Sequence, residues 1–451
     1  MQLSLQEVQQ AAGARFTCGG GPGNQLVTGW SVDSRSINQG DLFFAIRGDH
    51  FDGHRFVQNA FDAGAVAAVV SEPVKVEDHP VLTVEDTVRS LGQIANRARC
   101  NWGKQVVAVT GSAGKTSTKD IIAALLSTRF RVGKTIGNLN NHIGLPLTLL
   151  RLPDDADVAV VEMGMNHAGE IRELANIARP QIGVVTNVGY AHIESFASIE
   201  DIAAVKRELV EELPLDGTAV LNADDARVLR FSESYRGKVF TYGLDNRADL
   251  NAENIESGAI GSHFNVEGVH FRTKLTGKHA VSNILAGLAV ARVVDIPLRD
   301  LVGAVEQLTP GEMRGQRRQV GGLIILNDSY NSNPEAARSM IDVLRSEPSL
   351  RKIAVLGEML ELGAWAEKLH RNVGGYAANQ GINILIGIGG AARYMVDEAV
   401  KLGMAADATF FFENAEEAGE FLRNFVLPGD ALLFKGSRGT HVERALARME
   451  E

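Results

Sequence analysis

An α/β protein of three domains is predicted by three features of the 451-residue chain. The length exceeds what a single hydrophobic core serves. Short apolar runs alternate with helical periodicity in two separate series, the rhythm of a largely parallel sheet with helices on both faces. A cluster of Pro310, Gly311 and Gly315 divides the two series and reads as a hinge. The expected plan is a small mixed α/β N-terminal domain over residues 1–84, a central parallel-sheet ATPase domain with a P-loop over 85–313, and a C-terminal Rossmann-like doubly wound domain over 314–451.

In the first segment, residues 42–46 form an apolar strand closed by Gly48, 56–63 carry helical spacing, and 66–70 are a second apolar run ended by the turn at Pro73. The middle segment opens with a helix over 87–100. Strands are expected over 106–109, 158–161, 182–186 and 218–221, an antiparallel excursion over 249–276, and a helix over 279–294. The last segment predicts strands over 323–326, 353–356, 384–388, 409–412 and 431–434 with helices between them. No internal sequence repeat links the two series.

Composition narrows the function. Acidic residues outnumber basic ones, 55 to 45, for a formal net charge of −10, which disfavours nucleic-acid binding. The two cysteines, Cys18 and Cys100, show no paired spacing, so neither a cysteine zinc site nor a disulfide framework is expected; both read as buried apolar thiols. The N-terminus lacks the pattern of a signal peptide and no apolar run is long enough for a bilayer, so the cytoplasm is the expected location.

The chemistry begins at Thr110-Gly111-Ser112-Ala113-Gly114-Lys115-Thr116-Ser117, between an apolar strand and a helix. Glycines let backbone N–H groups face phosphates, Lys115 supplies a point charge, and the hydroxyl of Thr116 or Ser117 can bind Mg²⁺. Val109 stands where the strict phosphate-loop pattern has its first glycine. Glu162, ending the strand over 158–161, lies on the ligand side of such a sheet and can reach the metal. His192, after the next strand and Asn187, can ligate a metal or contact a phosphate. Lys206, in a helix beginning near Ser198, reads on its own as an ordinary helix-surface lysine.

Together with Asp328-Ser329-Tyr330-Asn331-Ser332-Asn333-Pro334, these residues resemble the Mur ligases, ATP-dependent amide-forming enzymes of peptidoglycan precursor synthesis, and hence of cell-wall biogenesis, cell shape and cell division. The resemblance spans the whole chain and explains the missing first glycine, since the family's loop reads T-G-x-x-G-K-[ST]. Its Asp328–Pro334 string resembles the branch that joins D-alanyl-D-alanine to a UDP-N-acetylmuramoyl-tripeptide. The cofactors implied are ATP and Mg²⁺, and the protein is expected to act as a monomer.

By resemblance, Lys115, Lys206, His192 and Arg314 are the expected catalytic residues, with Lys206 at the position of a carbamoylated lysine. Thr116, Glu162, His192 and Lys206 are the expected metal ligands. His279 and Asn283 match adenine contacts, Arg314 a phosphate contact, and Asp328, Tyr330 and Asn331 further nucleotide contacts. Ser34 and Arg35 in the first domain, Asn138, Asn140 and Asn141 in the muramoyl-substrate loop, and Asn333 and Lys435 in the last domain are the expected substrate-binding residues. Glu358 and His370 are candidates for orienting the dipeptide amine. Two rivals share the motifs, a sibling amide ligase (including a folylpolyglutamate synthase-like one) and a P-loop switch ATPase without ligation.

Overall fold

The computed structural model describes residues 1–18, 23–48, 51–76 and 79–451; the Cys18 side chain lies outside the described residues. Each of the three chain segments builds its own main sheet. In the first, five strands run in the order Arg15–Cys18, Val81–Thr83, Ala67–Val70, Asp41–Phe44 and Gly29–Ser31, with only the first pair antiparallel.

The central sheet has seven parallel strands, ordered Leu250–Asn251, Lys238–Gly243, Thr218–Asn222, Ile182–Val185, Gln105–Thr110, Val158–Glu162 and Val132–Lys134. From Gln105–Thr110 the chain crosses to the edge strand Val132–Lys134, returns through Val158–Glu162 between them, and then builds the other side outward from Ile182–Val185. The strand order reverses beside Gln105–Thr110, and ligands of open α/β sheets bind at such reversals beyond the strands' C-terminal ends. The sequence did not mark three of these strands. Val132–Lys134 and Leu250–Asn251 are too short to show periodicity, and Lys238–Gly243 is mostly only half-buried.

The antiparallel excursion is a three-stranded sheet, Glu253–Gly258, Gly261–Val266 and Val269–Thr273. Its Phe264 and Phe271 stack and join the core beneath helix Lys278–Val293. That helix is apolar on nearly all sides, and it packs against the helix Lys115–Leu126. A Cβ at Gly287 would lie 2.8 Å from Ile121 and 3.0 Å from Leu125, so glycine is what lets the two axes approach. One turn earlier, on the same face, the close approach brings Asn283 to the phosphate loop.

The third sheet has six strands in the order Gln316–Val320, Leu323–Asn327, Asp430–Lys435, Arg351–Gly357, Ile384–Ile388 and Thr409–Phe412, parallel except for the first pair. Residues 307–315, between helix Val302–Glu306 and strand Gln316–Val320, form no helix or strand. At the base of the sheet Arg351 donates from Nε and Nη2 to Asp430 Oδ1 and Oδ2, at 2.8 and 2.6 Å, and the Asp430 side chain is only 1% exposed. Such forked, charge-assisted pairs are the strong ones. Asp430→Asn is expected to destabilise this sheet by about 2 kcal/mol, read as a lower urea midpoint.

Cys100 is exposed on helix Thr87–Trp102, against the expectation of a buried thiol. It falls on the helix face opposite the buried stripe of Leu91, Ile94, Ala95 and Ala98.

Candidate active site

The turn after strand Gln105–Thr110 folds around its glycines. Gly111 has φ 151°, and a Cβ there would sit 1.9 Å from Thr186 Oγ1. The neighbouring strand end braces the loop. The Ala113 N–H donates to Asn187 Oδ1 at 2.8 Å, while Asn187 Nδ2 and Thr186 Oγ1 both donate to the Ala113 carbonyl. The Ser112 hydroxyl donates to the Gly189 carbonyl and accepts from the Gly189 N–H, and its own N–H donates to the Asn187 carbonyl, so the residue braces the loop. From the other side, Thr118 Oγ1 donates to Asn283 Oδ1 at 3.2 Å.

Lys115, first in the helix, folds back to donate to the Gly111 carbonyl at 2.8 Å. Burial lowers its pKa, with Arg314 adding to the effect and Glu162 and Glu361 opposing it. Glu162, at the end of the adjacent strand, is 2% exposed. Its Oε1 accepts from Asn140 Nδ2 at 2.7 Å, while Oε2 is buried without a partner. The backbone behind it is fixed: the Glu162 N–H donates to Thr135 Oγ1, and the buried Lys119 donates to the Thr135 carbonyl. Unpaired buried carboxylate oxygens are costly, and a cation is the usual compensation.

The third segment closes over this loop. Asn333 caps helix Pro334–Ser346 through Oδ1, and its Nδ2 donates to the Ser112 carbonyl at 3.2 Å. Glu335 accepts from the Tyr190 N–H, and burial raises its pKa. Arg314 lies with its guanidinium carbon 4.0 Å from the centre of the Tyr330 ring, a cation–π contact that aims it along the cleft. Lys435 donates to Asp328 and, at 2.8 Å, to the Asn331 carbonyl, tying together the strand ends that bound the cleft. The cleft holds about 590 Å³, enough for a nucleotide and part of a second substrate.

Family models named for the Mur ligases match three stretches: "Mur ligase family, catalytic domain" over residues 26–115, "Mur ligase middle domain" over 109–291, and "Mur ligase, glutamate ligase domain" over 313–438. The UDP-N-acetylmuramoyl-tripeptide–D-alanyl-D-alanine ligase of Bacillus subtilis is 35% identical over 94% of each chain. The chain belongs to the Mur ligase family. Among solved structures, MurF from Acinetobacter baumannii superposes with a TM-score of 0.92 at 29% identity, covering 100% of this Mur ligase and 99% of that chain. MurF from Thermotoga maritima in complex with ADP gives 0.84 at 28% identity, covering 94% and 97%.

In this Mur ligase the cleft gathers most of the residues singled out in the sequence. Ser112 to Ser117, Glu162, His192, His279, Asn283, Arg314, Asp328, Tyr330, Asn331, Asn333 and Lys435 line it, together with Asn138, Asn140 and Asn141. Gly111 lies just beneath the loop. Burial lowers the pKa of His279, so its ring favours the neutral form. Asn141 Oδ1 accepts from the N–H groups of Ile143 and Gly144 and holds the start of helix Gly144–Leu150. The structure does not bring Ser34 and Arg35 to this cleft. Arg35 is spent on Asp33 within its own turn, and its side chain is 88% exposed.

Three local readings are corrected. Lys206 is not a surface lysine: it is 1% exposed, and burial, then the charge of Lys115, keeps its pKa well below that of an ordinary lysine. His370 is fully buried, accepting from the Met359 N–H at Nε2 and lying 2.7 Å from the Ala366 carbonyl at Nδ1, so it has no nitrogen free for a substrate. Glu358 accepts from the Ala391 N–H and lies outside the cleft. Residues not singled out also belong to the site: Glu335 and Asp225 line the cleft, while Lys119 supports it through Thr135 and Glu361 through His192. The acidic first turn after Asn333-Pro334 was a signal for Glu335; nothing local marked Glu361.

Proposed function

We propose that the protein joins D-alanyl-D-alanine to a UDP-N-acetylmuramoyl-tripeptide at the expense of ATP, giving the pentapeptide, ADP and phosphate for peptidoglycan synthesis. The near-full-length identity to a ligase named for that reaction carries the reading. It also fits a phosphate loop roofed by a second α/β unit that can present another substrate. The peptide's terminal carboxylate attacks the γ-phosphorus and ADP departs. The dipeptide amine then attacks the resulting acyl phosphate, and phosphate leaves as the amide forms.

Two anions must meet in the first step, so the site has to neutralise charge. Lys115 does so from the loop and Arg314 from the linker. Asn283 and His279, which line the same cleft, would contact the adenine, and Asp328 and Tyr330 would supply further nucleotide contacts. Closure by Asn333 and Glu335 excludes water from an intermediate that water would destroy.

The residues fit Mg²⁺. The unpaired Glu162 Oε2 is an anionic oxygen in want of a cation, and the Thr116 hydroxyl and His192 share its cleft. Among the described residues no cluster of three or more His, Cys, Asp or Glu could hold a metal by itself. That suits Mg²⁺, which takes one or two protein ligands and fills its shell with phosphate and water. When bound, it neutralises phosphate charge. The depressed pKa of Lys206 leaves the neutral amine that reaction with CO₂ requires, supporting a carbamoylated lysine there. Among the described residues no helix is long and apolar enough to cross a membrane. We place the protein in the cytoplasm, acting as a monomer.

The test is phosphate release with ATP and Mg²⁺ in the presence of tripeptide acceptor, D-Ala-D-Ala, both or neither, with mass spectrometry of the product. Release that requires both, with a pentapeptide product, is expected. Hydrolysis indifferent to both would establish a switch ATPase instead, and coupling to a single amino acid a sibling ligase.

A further inference from the structure

His192 and Glu361 meet across the boundary between the central and third units. His192 Nδ1 lies 2.6 Å from Glu361 Oε2. His192 follows strand Ile182–Val185, the neighbour of the phosphate-loop strand, whereas Glu361 follows strand Arg351–Gly357 of the third sheet. Both are non-glycine residues in the left-handed region, each at φ 62°. Such strain persists only where the surroundings impose it, and it concentrates at functional sites.

The backbone around Glu361 is held by its neighbours. The Met359 N–H donates to His370 Nε2 and the Leu360 N–H to Ser437 Oγ, both at 2.9 Å, while Met359 and Leu362 are buried. The Glu361 carbonyl accepts from the Glu194 N–H at 3.1 Å, and Trp365 packs against Tyr190. The Glu361 side chain is 57% exposed, so the ion pair adds little to stability and does not account for two strained backbones. What it does fix is the imidazole. A carboxylate at Nδ1 favours the proton there, leaving the Nε2 lone pair free, and His192 lines the phosphate cleft.

We propose that Glu361 is a positioning residue. Carried by the third unit, its carboxylate holds the His192 proton on Nδ1 and presents Nε2 to the divalent cation at the phosphate loop. This ligand is therefore set only when the third unit is closed. The inference rests on the reading of His192 as a cation ligand given above. It deepens that reading, because a residue of the outer unit completes a site on the central one.

The experiment compares wild type, Glu361→Ala, Glu361→Gln and His192→Gln. Histidine ¹⁵N–¹H spectra with ADP and Mg²⁺ report the tautomer, with His192 assigned by its loss in His192→Gln. Electron paramagnetic resonance with Mn²⁺ and ADP reports cation affinity, and thermal melting checks that each variant folds. In wild type the Nδ1–H tautomer is expected. Glu361→Ala should mix the tautomers and weaken Mn²⁺ by about 10- to 100-fold. Glu361→Gln, which keeps an acceptor oxygen but loses the charge, should retain the tautomer and lose less affinity. An unchanged tautomer or an unchanged Mn²⁺ affinity in Glu361→Ala overturns the proposal, as does unaltered affinity in His192→Gln. Both readouts are independent of ligation, so failure of the substrate reading would show in the phosphate-release assay and leave them standing.

Discussion

Lys115→Ala is expected to lower the rate of amide formation by about a thousandfold or more. No other lysine near the loop can substitute. Lys206 is buried behind the loop and favours its neutral form, Lys119 is committed to the Thr135 carbonyl, and Lys435 to Asp328 and Asn331. The Lys115 amine donates to the Gly111 carbonyl, a contact for which phosphate oxygens would compete. The fold should survive, because the loop is held by Asn187, Thr186 and Ser112 rather than by the lysine. The measurement is single-turnover phosphate release beside a thermal melt. Activity within tenfold of wild type would mean that phosphate charge is neutralised elsewhere.

Glu162→Gln should separate activity from stability. The glutamine oxygen can still accept from Asn140, so the local arrangement is kept, but the anionic Oε2 is replaced by a neutral donor. A neutral amide costs less to bury than a carboxylate with an unpartnered oxygen, so the variant without ligands should melt at or above the wild-type temperature. Ligation should fall about a hundredfold and recover in part as Mg²⁺ is raised. Loss of stability together with activity would mean that the carboxylate is a structural element of the strand end. A variant as active as wild type would remove Glu162 from the cation site.

The two outcomes bear on what a sequence can carry. The phosphate loop was legible because its signal is local: an apolar strand, two glycines, a lysine and a helix in eight residues. Glu162 was legible because a parallel strand's C-terminal end faces the ligand. The burial of Lys206 was not, since helical spacing gives a face but not what covers it. The pairing of Asn140 with Glu162 spans 22 residues and depends on strand order. Glu361 was hidden for a stronger reason: it meets His192 only because two sheets dock, and nothing near it in the chain records that docking. His370 misled in the opposite sense, as a polar residue in a helix that the fold uses as an internal pin.

Arg314 sits two residues before Gln316, the first residue of the third sheet, in a stretch with no helix or strand. A guanidinium placed there behaves as a rein attached at the pivot. Any swing of the outer unit must drag the arginine, and any pull on the arginine by a triphosphate must swing the unit. Tension lasts only while charge remains at the far end. In the proposed reaction, transfer of the γ-phosphoryl group would move that charge onto the peptide, and the final departure of phosphate would slacken the rein. Opening would then follow amide formation, with no separate sensor of the product.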